Sequence, residues 1–205
     1  MLRSVNPATE ATIATYDEHT PDQVEAALAA AASAQRAWRA TDIAERLPLL
    51  TAIARELRAD RESFARLITS EMGKPIAEAR AEIDKSAWTL EHYAEHAGHY
   101  LAAQVVTSAA TESTIVFEPL GVLLAVMPWN YPCWQFVRVL APALAAGNGV
   151  LLKHAGNVTG CAMRLAEILR RAGAPAGLCT SLLVGPDAVA DLIADDRVAA
   201  VTLTG

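Results

Sequence analysis

The sequence has 205 residues, of which 53% are hydrophobic and 20% charged, a composition typical of a folded protein with a substantial core and not of a disordered chain. Its formal net charge of −6 provides no excess of cations to neutralise phosphates, so neither DNA nor RNA is an expected partner. The amino terminus, MLRSVNPATE, lacks the apolar segment of a signal peptide, and Pro142 and Gly147 interrupt the most apolar stretch. We therefore expect a cytoplasmic protein that has no membrane partner.

The three cysteines are far apart in the sequence and form no Cys-x-x-Cys pair. An odd number of widely spaced cysteines indicates neither a disulfide framework nor a zinc site. We expect reduced thiols at Cys133, Cys161 and Cys179.

The first hundred residues predict mainly helices, after a short extended segment, TIATY. Thr20 and Pro21 are a cap and a first-turn proline, and the helical pattern then continues to Trp38. A second helix is predicted from Ile43 to the residue before Gly73, bent near its proline. The third, IAEARAEIDKSAWTLEHYAEHAGHYL, is long and amphipathic.

The pattern changes after residue 112, where STIVFEP alternates like an edge strand and GVLLAVM reads as a buried strand. Three further apolar segments, GVLLK, TSLLV and VAAVTLTG, are separated by helical stretches. Alternating strands and helices of this size predict an α/β fold with a doubly wound parallel sheet behind a helical amino-terminal part.

An asparagine in MPWNYP follows the first buried strand directly. The carboxyl ends of such strands form the ligand edge of an open α/β sheet, and Pro128 and Pro132 restrict the backbone on either side of Asn130. A rigidly held amide suits an oxyanion hole, but the same residue type also caps helices and closes Asx-turns. The spacing favours neither interpretation.

Two cations lie near the same edge of the predicted sheet. Lys153 ends the second buried strand, where it could bind the ribose or a phosphate of a dinucleotide, or could simply be solvated. Arg138 lies on the helix after the Asn130 loop, where it could bind a carboxylate or be an ordinary surface arginine.

The segment HYAEH has the spacing of one class of zinc peptidases, and His99 falls on the same helix face as His92 and His96. No further acidic ligand stands out downstream, so we interpret this segment as a solvated helix face and predict no metal site. The glycines of AAGNGV do not form a G-x-G-x-x-G fingerprint, and the chain contains no P-loop.

Seven segments, taken together, resemble the aldehyde dehydrogenase superfamily, and they run in the family's order along the whole chain. They are EMGKP, FEPLGV, MPWNYP, APALAAGN, LLK, VGP and VTLTG. The resemblance covers the amino-terminal, cofactor-binding part of that family, less than half of a typical member. It implies a Rossmann-like cofactor domain and oxidation of an aldehyde with NAD or NADP.

The resemblance also implies roles for individual residues. Asn130 matches the asparagine that stabilises the oxyanion, and Lys153 matches the lysine that binds the adenosine ribose. The remaining matches concern the cofactor: Met127, Pro128 and Trp129 lie beside it, Gly185 and Pro186 flank the adenine, and Gly205 stands where the phosphate-binding helix should begin.

One departure from the family bears on the cofactor. The family's usual Lys-Pro-x-Glu is here Lys153-His154-Ala155-Gly156, so the acid that accepts the ribose hydroxyls is missing. Without that charge a 2′-phosphate is not repelled, and we expect NADP to be accepted and slightly preferred over NAD. This variant resembles bacterial succinate-semialdehyde dehydrogenases, in which an arginine eight residues after the asparagine binds the substrate carboxylate, the position of Arg138.

The other departure is the extent of the chain. The resemblance places the cysteine nucleophile, the glutamate base and the catalytic domain after residue 205, and none of the three cysteines matches the nucleophile. We expect residues 1–100 to be the helical part of the cofactor domain, 101–119 an oligomerisation strand segment and 120–205 the Rossmann-like part. The complete enzyme is expected to be a homo-oligomer, and the 205-residue chain alone to be inactive.

A non-catalytic alternative remains open at this point. The chain could serve as a nucleotide-binding or oligomerising module, or be the product of a decayed gene.

Overall fold

A computed structural model describes residues 1–205 and contains seven α-helices and eight β-strands. The helices are α1 (Pro21–Arg39), α2 (Ile43–Ala59), α3 (Arg61–Met72), α4 (Ile76–Tyr100), α5 (Trp134–Ala145), α6 (Thr159–Arg171) and α7 (Val189–Ala194). The strands are β1 (Leu2–Val5), β2 (Thr12–Tyr16), β3 (Gln104–Val105), β4 (Thr114–Ile115), β5 (Val122–Met127), β6 (Gly149–His154), β7 (Cys179–Ser181) and β8 (Val198–Leu203). None of the helices is long and apolar enough to cross a membrane.

The central sheet has four parallel strands in the order β7-β6-β5-β8. In the middle of the sheet β5 and β6 pair from Val122 opposite Gly149 to Met127 opposite His154. Both of these strands are almost continuously apolar because helices cover them on both faces, as expected of a doubly wound sheet. The predicted α/β fold is thus confirmed.

The core is divided by the sheet. On one face, Leu124 and Leu151 pack with residues of α1 and α7, such as Leu28 and Leu192. On the other face a larger cluster of 33 buried residues joins the sheet to α2, α3, α4, α5 and α6. Side chains alternate between these two clusters along β6 because successive residues of a strand point to opposite faces.

Two small antiparallel pairs lie outside the central sheet. β1 and β2 pair with each other, and β1 also contacts the 3-10 turn Gly156–Val158 that follows β6. β3 and β4 pair over two residues each, and the connection between them is exposed. Strand β1 was not predicted from the sequence.

The prediction of one helix from residue 43 to 72, bent at its proline, is wrong. Pro48 lies inside α2, and the chain is interrupted instead at Asp60, between α2 and α3. The carboxylate of Asp60 accepts hydrogen bonds from Nη1 of Arg164 in α6, at 3.1 and 3.2 Å. This contact across 104 residues fixes the position of the break and could not be inferred locally.

Two predicted strands are shorter in the structure. STIVFEP contributes only Thr114–Ile115, because its single partner, β3, is itself two residues long. TSLLV was predicted as a strand, yet β7 ends at Ser181. Beyond it, Leu182 N still donates to Leu152 O at 2.7 Å, but the Leu183 carbonyl accepts from His19 N, since the chain there leaves the sheet.

Candidate functional site

The candidate residues meet at the carboxyl edge of the central sheet, where β5, β6 and β8 end side by side. Lys153 lies opposite Val126 in the register of β5 and β6. After β8, Thr204 N still donates to Val126 O at 3.1 Å, so the edge remains ordered one residue beyond the strand. The loop 128–132 leaves β5 at this edge and leads into α5.

Asn130 is exposed in that loop and does not cap the helix that follows it. The first amides of α5 are taken by a buried carboxylate: Oε1 of Glu82 accepts from Cys133 N at 2.8 Å and from Trp134 N at 3.0 Å. The helix-capping interpretation of Asn130 is therefore wrong, and its amide is free to face solvent or a ligand.

The loop rests on a buried ion pair. Nζ of Lys74 lies 2.5 Å from Oε2 of Glu82, and both side chains are almost completely buried. The same ammonium lies 3.4 Å from the ring centroid of Tyr131, the neighbour of Asn130, which is a cation–π distance. Lys74 and Glu82 thus support the loop from the side of α4.

A second support comes from β6. His154 is 5% exposed, and its Nε2 lies 2.9 Å from the carbonyl oxygen of Pro132. Burial lowers the pKa of His154 to about 4, so the ring is neutral at physiological pH. The second buried strand was predicted to end at Lys153, whereas β6 continues by one residue and ends at His154.

Lys153 is half-buried at the end of β6, and burial lowers its pKa with no neighbouring carboxylate to offset the effect. Gly156 follows in the 3-10 turn. A Cβ added to Gly156 would lie 3.4 Å from Cδ2 of Leu2, an ordinary contact, so packing does not demand glycine there. Lys153 and Gly156 thus provide one cation and no carboxylate at this part of the sheet edge.

Arg138 is exposed on the first turns of α5 and reaches the same edge. Its Nη2 donates to Oγ1 of Thr204 at 3.0 Å, and its guanidinium lies 5.3 Å from the ring centroid of Trp134. No carboxylate is among these contacts. The guanidinium thus retains donors for an anionic ligand.

The other residues predicted at the cofactor site occupy different positions around the edge. Met127 is buried at the end of β5, while Trp129 is 52% exposed and Pro128 is half-buried. Gly185 and Pro186 begin a 3-10 turn beside a cleft of about 410 Å³, whose walls carry Glu18, Asp187 and Asp191. Such a wall suits a neutral base better than a phosphate. Gly205 is exposed just beyond β8.

None of the three cysteines is placed for nucleophilic chemistry. Burial raises the pKa of the Cys133 and Cys161 thiols well above the ordinary value, and that of Cys179 to about 12. A reactive cysteine needs the opposite shift, toward the thiolate. The His92 and His96 rings stack with centroids 4.4 Å apart, and no cluster of three or more potential metal ligands occurs.

The profile of the aldehyde dehydrogenase family matches residues 1–205. The chain belongs to this family. Among its curated relatives it is 46% identical, over 204 residues, to a probable succinate-semialdehyde dehydrogenase [NADP(+)] of Synechocystis. It is 45% identical to the succinate semialdehyde dehydrogenase [NAD(P)+] Sad of Escherichia coli K12. It spans 100% and 98% of its own length in these alignments but only 45% and 44% of the relatives.

Solved structures agree with this family assignment. The succinic semialdehyde dehydrogenase of Streptococcus pyogenes, in complex with NADP+, superposes with a TM-score of 0.95 at 34% identity. The match covers 98% of this chain and 44% of that one. A succinate-semialdehyde dehydrogenase of Burkholderia pseudomallei gives a TM-score of 0.93 at 30% identity, covering 99% of this chain and 42% of that one.

Proposed function

We propose that the chain is the cofactor-binding part of an NADP-accepting succinate-semialdehyde dehydrogenase. One observation carries the proposal: three polar side chains lie at one edge of a parallel sheet. They are Asn130, which caps no helix, and Lys153 and Arg138, which have no carboxylate partner. The names of the relatives from Synechocystis and Escherichia coli support the substrate and cofactor. Because the chain spans about 45% of those relatives, the activity is assigned to the protein of which it forms this part.

Each residue would contribute through its own chemistry. Bound NADP would supply the hydride acceptor for the oxidation, after the cysteine nucleophile that the family resemblance implies has added to the aldehyde carbon. The Asn130 amide would donate a hydrogen bond to the aldehyde oxygen as that oxygen becomes negative, a contact that strengthens in the transition state. The Arg138 guanidinium would hold the far carboxylate of the substrate, which orients the aldehyde group. No role is proposed for Cys133, Cys161 or Cys179.

The cofactor preference follows from the end of β6. Lys153 would bind the ribose hydroxyls or attract a 2′-phosphate, and Gly156 offers no carboxylate to repel that phosphate. NAD would remain acceptable, since nothing near Lys153 excludes its ribose. Gly185 and Pro186 would flank the adenine, and Met127, Pro128 and Trp129 would lie beside the remainder of the cofactor.

The paired strands β3 and β4 favour an additional, assembling role for residues 101–119. Apolar side chains in these strands and directly after them are exposed: Val105, Val106, Ile115, Val116 and Phe117 are 79, 39, 47, 61 and 49% exposed. We propose that this segment joins copies of the protein into a homo-oligomer. The three cysteines form no disulfide, which is in keeping with the cytoplasmic location that we propose.

Calorimetric titration of the 205-residue chain with NADP and NAD tests the cofactor assignment. A charge-assisted hydrogen bond contributes about 1.5–3 kcal/mol, so Lys153→Ala should weaken NADP binding by about tenfold or more. Asn130→Ala should leave it unchanged, because Asn130 is assigned to the aldehyde. Arg36→Ala, which removes an exposed cation on α1 instead, serves as the charge-matched control.

Succinate then probes the substrate position in the NADP-bound chain. Arg138→Met should abolish succinate binding and keep NADP binding, since only the carboxylate contact is lost. A folded chain that binds neither nucleotide would refute the cofactor assignment and favour the non-catalytic, oligomerising alternative.

A further inference from the structure

The loop that carries Asn130 is held at both ends by two consecutive residues, His154 at the end of β6 and Ala155 directly after it. At its start, Ala155 N donates to Met127 O at 3.0 Å. At its end, Nε2 of His154 lies 2.9 Å from Pro132 O. These two hydrogen bonds hold both ends of the four-residue segment between the Met127 and Pro132 carbonyls.

The proton arrangement of His154 follows from its contact with Pro132. A carbonyl oxygen only accepts hydrogen bonds, so Nε2 carries the proton of the neutral ring and donates it to Pro132 O. Nδ1 lies 3.0 Å from Ala155 N, whose single N–H is also accepted by Met127 O. The hydrogen bond from Nε2 to Pro132 O therefore fixes the orientation of the ring.

We propose that His154 is a positioning residue that holds the loop 128–132 and thereby directs the Asn130 amide. The Pro132 carbonyl lies two residues from Asn130, and His154 is its side-chain partner. The other two supporting residues contact different parts of the loop: Lys74, which precedes α4, contacts the Tyr131 ring, and Glu82 of α4 binds the amides that follow Pro132. The part of this proposal that concerns Asn130 chemistry rests on the proposed function.

A matched pair of substitutions separates the hydrogen bond from the packing. His154→Leu keeps an apolar side chain in the buried site but has no donor for Pro132 O. His154→Gln keeps an amide N–H donor near the position of Nε2. Ile68→Ala is the control for stability alone, because Ile68 is fully buried in α3 and has no hydrogen-bonded contact with the loop.

The loop can be observed directly in the 205-residue chain labelled with 5-fluorotryptophan, since Trp129 is one of only four tryptophans. Its fluorine signal is assigned with Trp129→Phe. In His154→Leu this signal should shift and broaden while the signals of Trp38 and Trp88 stay in place, and His154→Gln should restore it. An unchanged Trp129 signal in His154→Leu, or an equal change in Ile68→Ala, would overturn the proposal.

Steady-state oxidation of succinate semialdehyde with NADP, by the protein that contains this chain, provides the second readout. His154→Leu should lower kcat by about tenfold or more and keep KM within about twofold, because a misdirected oxyanion donor affects the transition state and not substrate binding. His154→Gln should recover most of kcat. An unchanged kcat in His154→Leu would overturn the link to Asn130. If the wild-type protein oxidises no aldehyde, the proposed function fails, whereas the Trp129 signals still decide the role of His154 in the loop.

Discussion

Beneath the Asn130 loop, a lysine and a glutamate lie buried with hardly any contact with solvent. Glu82 is compensated by Lys74 and by two helix amides, so all the charge that is removed from water is matched by hydrogen bonds. A buried pair of this kind adds little net stability, but the loss of one partner is costly because the other charge remains unpaired.

Substitution of Lys74 tests this dependence. Lys74→Met should destabilise the fold by about 3 kcal/mol, because Glu82 then keeps a buried charge without a cation. The control is Arg80→Met, which breaks the exposed ion pair with Glu62 and should destabilise the fold far less than Lys74→Met does, because solvent screens that pair. Urea unfolding followed by circular dichroism measures both, and equal losses in the two variants would contradict the explanation.

At this scale the sequence supported the choice of Asn130, Lys153 and Arg138, whose positions after strands or on the next helix place them at the ligand edge. Their roles as binding residues stay predictions. Glu82 and His154 were not found, because their importance comes from burial and from partners 51 and 22 residues away. Only the motif EMGKP, quoted for the resemblance, pointed toward Lys74.

At the scale of elements, helix α6 begins against a second buried carboxylate. Glu71, from α3, accepts from Gly160 N at 2.9 Å and from Cys161 N at 2.8 Å. The carboxylate therefore satisfies the unpaired amides of the helix start and complements its dipole. Gly160 allows the close approach, since an added Cβ would lie 2.6 Å from Oε1 of Glu71 and 3.0 Å from the Tyr16 hydroxyl.

Gly160→Ala should consequently destabilise the protein by about 2 kcal/mol, since the methyl group displaces the buried carboxylate from the amides. Gly98 in α4 is the matched control, because a Cβ there meets no atom within 4 Å. Gly98→Ala should stabilise the protein by up to about 1 kcal/mol through helix propensity. Thermal unfolding curves compare the two, and stabilisation by both substitutions would show that Glu71 does not need the space.

The element types were largely predictable because the period of the apolar residues differs between helices and buried strands. The boundaries that failed depend on distant contacts. The break at Asp60 is fixed by Arg164, and the early end of β7 accompanies the pairing of Leu183 with His19. Strand β1 is short, its four residues include both polar and apolar side chains, and it is extended because it pairs with β2.

At the scale of the whole molecule, β8 is an edge strand of the central sheet and exposes one apolar side. Ala199, Val201 and Leu203 alternate with half-buried residues on the opposite side, and Leu203 is 68% exposed. An apolar edge strand is a template for pairing with other chains. The isolated chain should therefore be prone to aggregation.

Leu203→Lys should raise the concentration at which the chain begins to aggregate, because a charge on an edge strand opposes pairing. Leu120→Lys provides the comparison: Leu120 is 69% exposed, but it lies in a loop outside the sheet. Light scattering against protein concentration measures the onset. The same improvement in both variants would mean that general hydrophobicity, and not the strand edge, drives aggregation.

The last two residues of β6 contribute to two different sites because successive side chains of a pleated strand point to opposite faces. Lys153 and His154 are consecutive, so their side chains leave the sheet on opposite faces, one toward the proposed cofactor side and the other into the core beneath the Asn130 loop. Deleting a single residue within β6 would exchange these faces and place an ammonium group in the core and an imidazole in solvent. The spacing between Gly149 and His154 should therefore tolerate substitution far better than any change of length.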